Sequence, residues 1–171
     1  MKIEHMPKYI TATECTKWLH DHNMVESPYG LKENKSKYCD QYKITKREEF
    51  SSEIIEQMGS FKDGLLVFMD WNFYHPEDWK YYKPYELPFI EMVHTTTSKQ
   101  NPSFDKGSGF LYADDQRIEL ISHIKLSIEL GWSVYLYPDS ATTTLFFWEG
   151  ELMDVWSDSK IIFSNLKKLL G

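Results

Sequence analysis

Hydrophobic positions with helical spacing recur in four stretches of the chain, and the first of these has a clear start. Thr11 and Glu14 stand at the spacing of a capping box, in which each side chain satisfies a backbone N–H of the other residue. Trp18 and Leu19 follow on the helical period. The pattern predicts a helix from about Thr11 to His22.

A second helix is predicted by the same spacing at Thr45 and Glu48, followed by apolar residues on one face. Gly59 stands where a C-terminal cap belongs, because glycine adopts the left-handed conformation of that position at little cost. The apolar face consists of Phe50, Ile54, Ile55 and Met58.

Two more helices are predicted further along. One runs from about Asp114 to Leu130 and is expected to bury Ile118, Leu120, Ile121, Ile124 and Ile128. Leu126 and Leu130 lie nearly opposite that stripe, which predicts contacts on a second side. The last helix, capped by Ser157 or Ser159, is expected to face inward with Ile162, Phe163, Leu166, Leu169 and Leu170.

Strand patterns stand between and after these helices. Residues 65–69 are apolar at every position, which is typical of a central strand covered on both faces. A second strand is predicted over 87–94. Residues 134–137, 142–148 and 151–156 predict a meander of three antiparallel strands, and Glu149-Gly150 is a two-residue hairpin signal.

Two stretches lack a period. Residues 27–43 are expected to form a long loop or a short hairpin, and residues 95–109 a surface loop. The predicted fold class is therefore α+β: an antiparallel or mixed sheet of about five strands, ending in a meander and packed with three to four helices. With no repeat and no linker, residues 1–171 are expected to form a single domain.

Composition adds the class of protein. Apolar residues make up 42% of the chain and aromatic residues 16%, which is typical of a folded domain rather than a disordered one. The net charge of -7 disfavours nucleic acid as a partner, since that affinity comes mostly from Lys and Arg. No apolar run is long enough for a membrane span or a signal peptide, so we expect a cytoplasmic protein. Cys15 and Cys39 fit no zinc or disulfide framework and are expected to stay reduced.

The common catalytic signatures are missing from the sequence. It contains no dinucleotide-binding glycine motif, phosphate loop, zinc-protease motif or nucleophile elbow, so neither a cofactor nor a metal is expected. His20 and His22 are two apart on one helix and point away from each other, which excludes a shared ion. His94 and His123 stand alone and are expected to be satisfied structural residues.

The densest candidate surface is residues 71–89, which hold eight aromatic residues and three prolines with no regular period. Tyr and Trp combine a large contact area with a polar tip and are enriched at binding hot spots. The expected binding residues are Trp71, Tyr74, Glu77, Asp78, Trp79, Tyr81, Tyr82 and Glu86. The alternative is that these rings fill a satellite core beneath an ordered loop.

The charges are unevenly distributed. Residues 51–158 carry 18 acidic against 7 basic side chains, and acids stand near aromatic residues in 70–86 and 139–156. Such a surface complements a basic protein, although acidity also maintains solubility. Our first hypothesis is a non-enzymatic module that masks a basic partner protein, as an immunity or antitoxin-type inhibitor does.

A second hypothesis is a small-molecule site. Asp70, His75, Glu77 and Asp78 are the one close cluster of acids with a histidine, and they follow the predicted central strand. Beside stacking rings they would suit a sugar-like ligand or a hydrolase, whereas Asp70 also suits a turn. A homodimer that uses residues 71–89 as its interface is a third hypothesis.

Overall fold

Seven strands form one antiparallel sheet in the computed structural model of the protein, which describes residues 7–24, 36–45, 49–59, 64–69, 107–138 and 143–171. The sheet order is β1-β4-β3-β5-β6-β7-β2, and every neighbouring pair is antiparallel. The strands are β1 (Lys8–Ile10), β2 (Tyr38–Lys43), β3 (Gly64–Phe68), β4 (Gly109–Tyr112), β5 (Val134–Tyr137), β6 (Thr143–Trp148) and β7 (Leu152–Ser157).

Four α-helices accompany the sheet within the described residues. They are α1 (Ala12–Asp21), α2 (Phe50–Gln57), α3 (Arg117–Glu129), which continues from a 3-10 turn at Asp114–Gln116, and α4 (Lys160–Leu170). This confirms the α+β class and the C-terminal meander of β5, β6 and β7. None of these helices is long and apolar enough to cross a membrane.

The predicted number of about five strands is too low. β1 and β4 hold only three and four residues, which is too short for an alternating pattern to show. The expected loop over 27–43 contains β2, which pairs with β7 rather than with a local hairpin partner. The expected loop over 95–109 ends at Gly109, the first residue of β4. The predicted strand over 87–94 lies outside the described residues.

The predicted start of α1 is confirmed, whereas the predicted start of α2 is wrong. Thr11 caps α1 as predicted: its hydroxyl accepts from the N–H of Glu14, and its own N–H donates to Oε2 of Glu14 over 2.8 Å. The cap predicted at Thr45 is wrong, because α2 begins five residues later, after Glu49, with no side-chain cap. Ser159 caps α4 and accepts from the N–H of Ile162.

The sheet separates two cores. Helices α2, α3 and α4 cover one face, where side chains such as Leu66, Phe110 and Val155 are buried. Helix α1 lies on the other face and buries Cys15, Trp18 and Leu19 with residues of β1, β3, β5 and β6. Leu126 is buried, in line with a two-sided α3. Ile118, in contrast, is 76% exposed because it lies on the solvent side of the first turn of α3.

The hairpin between β6 and β7 turns at Glu149 and Gly150 as predicted, but Glu151 also lies in the connection, because Trp148 pairs with Leu152. Glu149 and Gly150 both adopt the left-handed conformation, with φ of 48° and 66°, as such a turn requires. This turn keeps β6 and β7 in register from Trp148↔Leu152 to Thr143↔Ser157. It therefore fixes which side chains of the meander share the α1 face.

Candidate functional site

The side chains predicted as a binding surface all lie outside the described residues. This holds for Trp71, Tyr74, Glu77, Asp78, Trp79, Tyr81, Tyr82 and Glu86, and also for Asp70, His75 and His94. Neither the protein-binding surface nor the small-molecule cluster is therefore tested by the structure. Within the described ranges, no group of three or more His, Cys, Asp or Glu side chains is arranged to hold a metal ion.

The three histidines within the described residues occupy different environments. His20 is exposed at the end of α1, whereas His22 stacks on Trp18 with ring centroids 3.9 Å apart. His123 is buried and bonded through Nδ1 to the hydroxyl of Tyr112. Because that pair lies inside the core between α3 and β4, it holds the helix on the sheet.

A polar residue lies on the opposite face of the sheet, one strand in from the β2 edge. Asp154 of β7 lies directly between Phe146 of β6 and Gln41 of β2, and Phe146 in turn lies opposite Tyr135 of β5. These four side chains form a cross-strand row on the α1 face, since residues paired across antiparallel strands point to the same side. A carboxylate therefore lies at the end of a row of rings.

Only one of the two carboxylate oxygens of Asp154 has a hydrogen-bond partner. The side-chain amide of Gln41 donates to Oδ1 over 2.8 Å. Oδ2 is buried and has no hydrogen-bond partner, and the residue as a whole is 6% exposed. Burial raises the pKa of Asp154 to about 6, because loss of water disfavours the charged form. A buried oxygen that accepts no hydrogen bond lowers the free energy of unfolding, so the presence of a carboxylate at this position needs an explanation.

Aromatic residues lie on the same sheet face as Asp154. Tyr135 stacks on Phe146 with centroids 4.2 Å apart, and Phe146 meets Trp148 edge-on at 5.8 Å. Trp148 is 42% exposed, which is unusual for so large an apolar side chain. Trp156, two residues after Asp154, pairs with Thr144 on one side and with Cys39 on the other. The ring faces and the carboxylate share one side of the sheet.

We refer to this part of the molecule as the Asp154 face. It consists of Gln41 and Cys39 on β2, Phe146 and Trp148 on β6, and Asp154 and Trp156 on β7. Gln41 and Cys39 are exposed and Trp156 is half-buried, so the face reaches solvent along β2. The same sheet face continues into the core that α1 covers: Phe146 belongs to that core, and Trp156 packs against it.

Asp40 protects the β2 edge beside this face. Successive backbone N–H groups of a strand point to opposite sides. The N–H of Ile44 donates to the carbonyl oxygen of Glu151, the residue before β7, and therefore points toward β7. The N–H of Gln41, three residues earlier, points away from β7. Oδ1 of Asp40 accepts the N–H of Gln41 over 3.0 Å, and Oδ2 lies 3.9 Å from Lys167. Because the carboxylate of Asp40 already accepts this N–H of Gln41, it opposes the pairing of another strand with the β2 edge. The chemistry of this region therefore resides in its side chains.

The sequence pattern predicts Asp154 only as part of the third meander strand, although acids stand near rings in 139–156. A usable signal was present, since aspartate is depleted in strands and here interrupts Met153, Val155 and Trp156. Gln41 had no such signal, because β2 itself was not predicted. Compared with known proteins, the chain matches no family model, no curated protein and no solved structure.

Proposed function

We propose that the protein is a non-enzymatic binding module that takes a basic partner protein on the Asp154 face, as an immunity or antitoxin-type inhibitor does. The observation that supports this function is Oδ2 of Asp154, a buried carboxylate oxygen with no donor within hydrogen-bonding distance. Such an oxygen weakens the free protein and becomes favourable when a positive group reaches it.

Charge supports a basic partner. The whole chain carries a net charge of -7, and the excess of acids falls in 51–158, which includes β6 and β7. A pKa of about 6 leaves Asp154 mostly ionised at neutral pH. A negative surface accelerates encounter with a positive one and discriminates against acidic proteins.

The surroundings of Asp154 favour binding over catalysis. General acid–base chemistry needs a second group that exchanges protons at the reacting atom. The hydrogen-bond partner of Asp154 is Gln41, whose amide does not titrate, and its neighbours in the row are aromatic. Trp148 and Trp156 supply the contact area typical of interface hot spots.

The test is site-directed photocrosslinking from the Asp154 face. Cys39 is exposed and lies opposite Trp156, so a maleimide-benzophenone attached to its thiol reports on whatever docks there. The labelled protein is irradiated in an extract of its native host at low and high salt, and crosslinked proteins are identified by mass spectrometry. We expect a basic protein whose yield falls as salt screens the attraction.

The same crosslinking is repeated in Asp154→Asn and in a matched variant, Glu129→Gln, which removes one exposed charge from α3. Asp154→Asn is expected to abolish the basic crosslink, and Glu129→Gln to retain it. A product that survives Asp154→Asn, or crosslinks only to acidic proteins or to the chain itself, contradicts the proposed function.

A further inference from the structure

We infer that the group received by Asp154 is the guanidinium of an arginine side chain on the partner protein. This inference rests on the proposed function and specifies its chemistry. The geometry that points to it is the hydrogen bond from Gln41 to Oδ1 of Asp154, which leaves Oδ2 of Asp154 and Oε1 of Gln41 as acceptors on side chains that share a sheet face with aromatic rings.

The two acceptors belong to side chains already joined to each other. The amide nitrogen of Gln41 donates to Oδ1 of Asp154, which leaves the amide carbonyl oxygen of Gln41 as an acceptor one amide group away. Guanidinium presents several N–H donors in one rigid plane and binds paired acceptors in a fork. An ammonium group is a compact point charge and gains less from two acceptors arranged in this way.

The rings add a second preference for arginine. Phe146, the cross-strand neighbour of Asp154, is buried and stacked on Tyr135. The ring beside Asp154 that lies nearer to solvent is therefore the half-buried Trp156, two residues along the same side of β7. A flat guanidinium stacks on aromatic faces while its edge donates hydrogen bonds, whereas ammonium has no flat face. A carboxylate at the end of an aromatic row therefore selects arginine over lysine.

Asp154 is approached from the edge strand β2. Gln41 is exposed on the edge strand β2, and its side chain is held to the row by the single bond to Asp154. An incoming guanidinium donates to Oδ2 of Asp154 and Oε1 of Gln41 while the bond from Gln41 to Oδ1 stays in place. Its bonds are charge-assisted and therefore stronger than bonds between neutral groups.

The experiment uses three blocked peptides of the same length, in which glycine alternates with arginine, lysine or the neutral isostere citrulline. Binding to the full chain is measured by tryptophan fluorescence and calorimetry at low salt, together with protection of the Cys39 thiol from a thiol reagent. We expect the arginine peptide to bind about tenfold or more tightly than the lysine peptide, and citrulline to bind most weakly.

Two variants test whether the preference for the arginine peptide depends on Asp154 and Gln41. Asp154→Asn and Gln41→Met are each expected to remove most of the preference for arginine, whereas Glu129→Gln leaves all three affinities within about twofold. Gln41→Met lies on the exposed edge and keeps the carboxylate, so it remains informative if Asp154→Asn alters folding, which circular dichroism reports.

The outcomes separate the two proposals. If lysine and arginine peptides bind equally and both depend on Asp154, the inference of a guanidinium is overturned and the proposed function stands. If no peptide binds, or if binding ignores both variants, the Asp154 face is not a site for a cation and both proposals are wrong.

Discussion

Tyr112 and His123 share a hydrogen bond of 2.5 Å between the phenol oxygen and Nδ1, and both side chains are buried between β4 and α3. Burial lowers the pKa of His123 from 6.5 to about 3, because a buried imidazolium loses its hydration. The ring is therefore neutral in the native state over the whole range in which an unfolded histidine takes up its proton.

This shift predicts a dependence of stability on pH. Between pH 6.5 and 3 the unfolded chain binds a proton at His123 that the folded chain does not, so this residue lowers the free energy of unfolding as the pH falls. Each such group changes that free energy by at most about 1.4 kcal/mol per pH unit. We expect His123→Gln to remove this component in urea denaturation at pH 7.5, 6, 5 and 4.

The control for that series is His20→Gln, which changes an exposed histidine at the end of α1. Its stability curve is expected to follow the wild type. An unchanged pH dependence in His123→Gln would show that the buried ring carries no linkage to folding.

Asp154 has the opposite linkage. Its pKa is raised from 3.8 to about 6, so between these values the folded chain holds a proton that the unfolded chain has lost. This contribution to stability is complete below pH 3.8 and is lost as the pH rises through 6. Within pH 4 to 6 it offsets the effect of His123, so the two residues mask each other in the wild type.

Asp154→Asn is therefore expected to stabilise the protein at neutral pH. The variant removes a buried charge and leaves the volume unchanged, which predicts a gain of about 1–3 kcal/mol in the free energy of unfolding at pH 7.5. The gain should vanish near pH 3.5, where both side chains are neutral, and the fall of stability between pH 6 and 4 should become steeper. A loss of stability at pH 7.5 is the opposing result.

Alanine substitutions at two glycines distinguish the cost of backbone strain from the cost of a steric clash. Gly150 and Gly59 both have positive φ, of 66° and 79°. A Cβ on Gly150 would lie 2.1 Å from the carbonyl oxygen of Ile128, whereas a Cβ on Gly59 meets nothing within 4 Å. Gly59→Ala is expected to cost about 1–2 kcal/mol for the left-handed conformation alone. Gly150→Ala should cost clearly more in the same denaturation assay, and equal losses would contradict the clash.

The two thiols are expected to react at very different rates. Cys39 is exposed on β2, whereas Cys15 is buried under α1, and burial raises the pKa of Cys15 to about 12. Because the thiolate is the reactive form, a thiol reagent should modify one sulfur per folded chain, with the second appearing only in denaturant. Cys39→Ser should remove the fast phase. Two fast thiols would show that α1 does not shield Cys15.

The longer helices and the meander could be predicted from the sequence because their patterns are local. The cap of α1 joins residues three apart, and the apolar stripe of α4 repeats every helical turn. The hairpin at Glu149 and Gly150 likewise needs only its own two residues. The short strands and the start of α2 could not be predicted in this way, because local preferences there are small and tertiary pairing determines the structure.

The candidate site required distant contacts. Gln41 and Asp154 are separated by 113 residues, and nothing in either segment indicates the other. Pairing of β2 with β7 brings them together, and the alternation of β7 between Met153, Val155 and their neighbours directs Asp154 to the α1 face. The polarity of one strand residue was visible in the sequence, but the missing donor at its Oδ2 is a property of the packed sheet.

By itself, the sequence determined the class of fold, the acidity and the aromatic richness of this protein, since these depend on composition and on patterns within one element. Only the tertiary structure decided the sheet order, the edge position of β2 and the placement of Asp154 between Phe146 and Gln41. The reason is that a cross-strand row is made by hydrogen bonding between strands, and its members are neighbours in space alone.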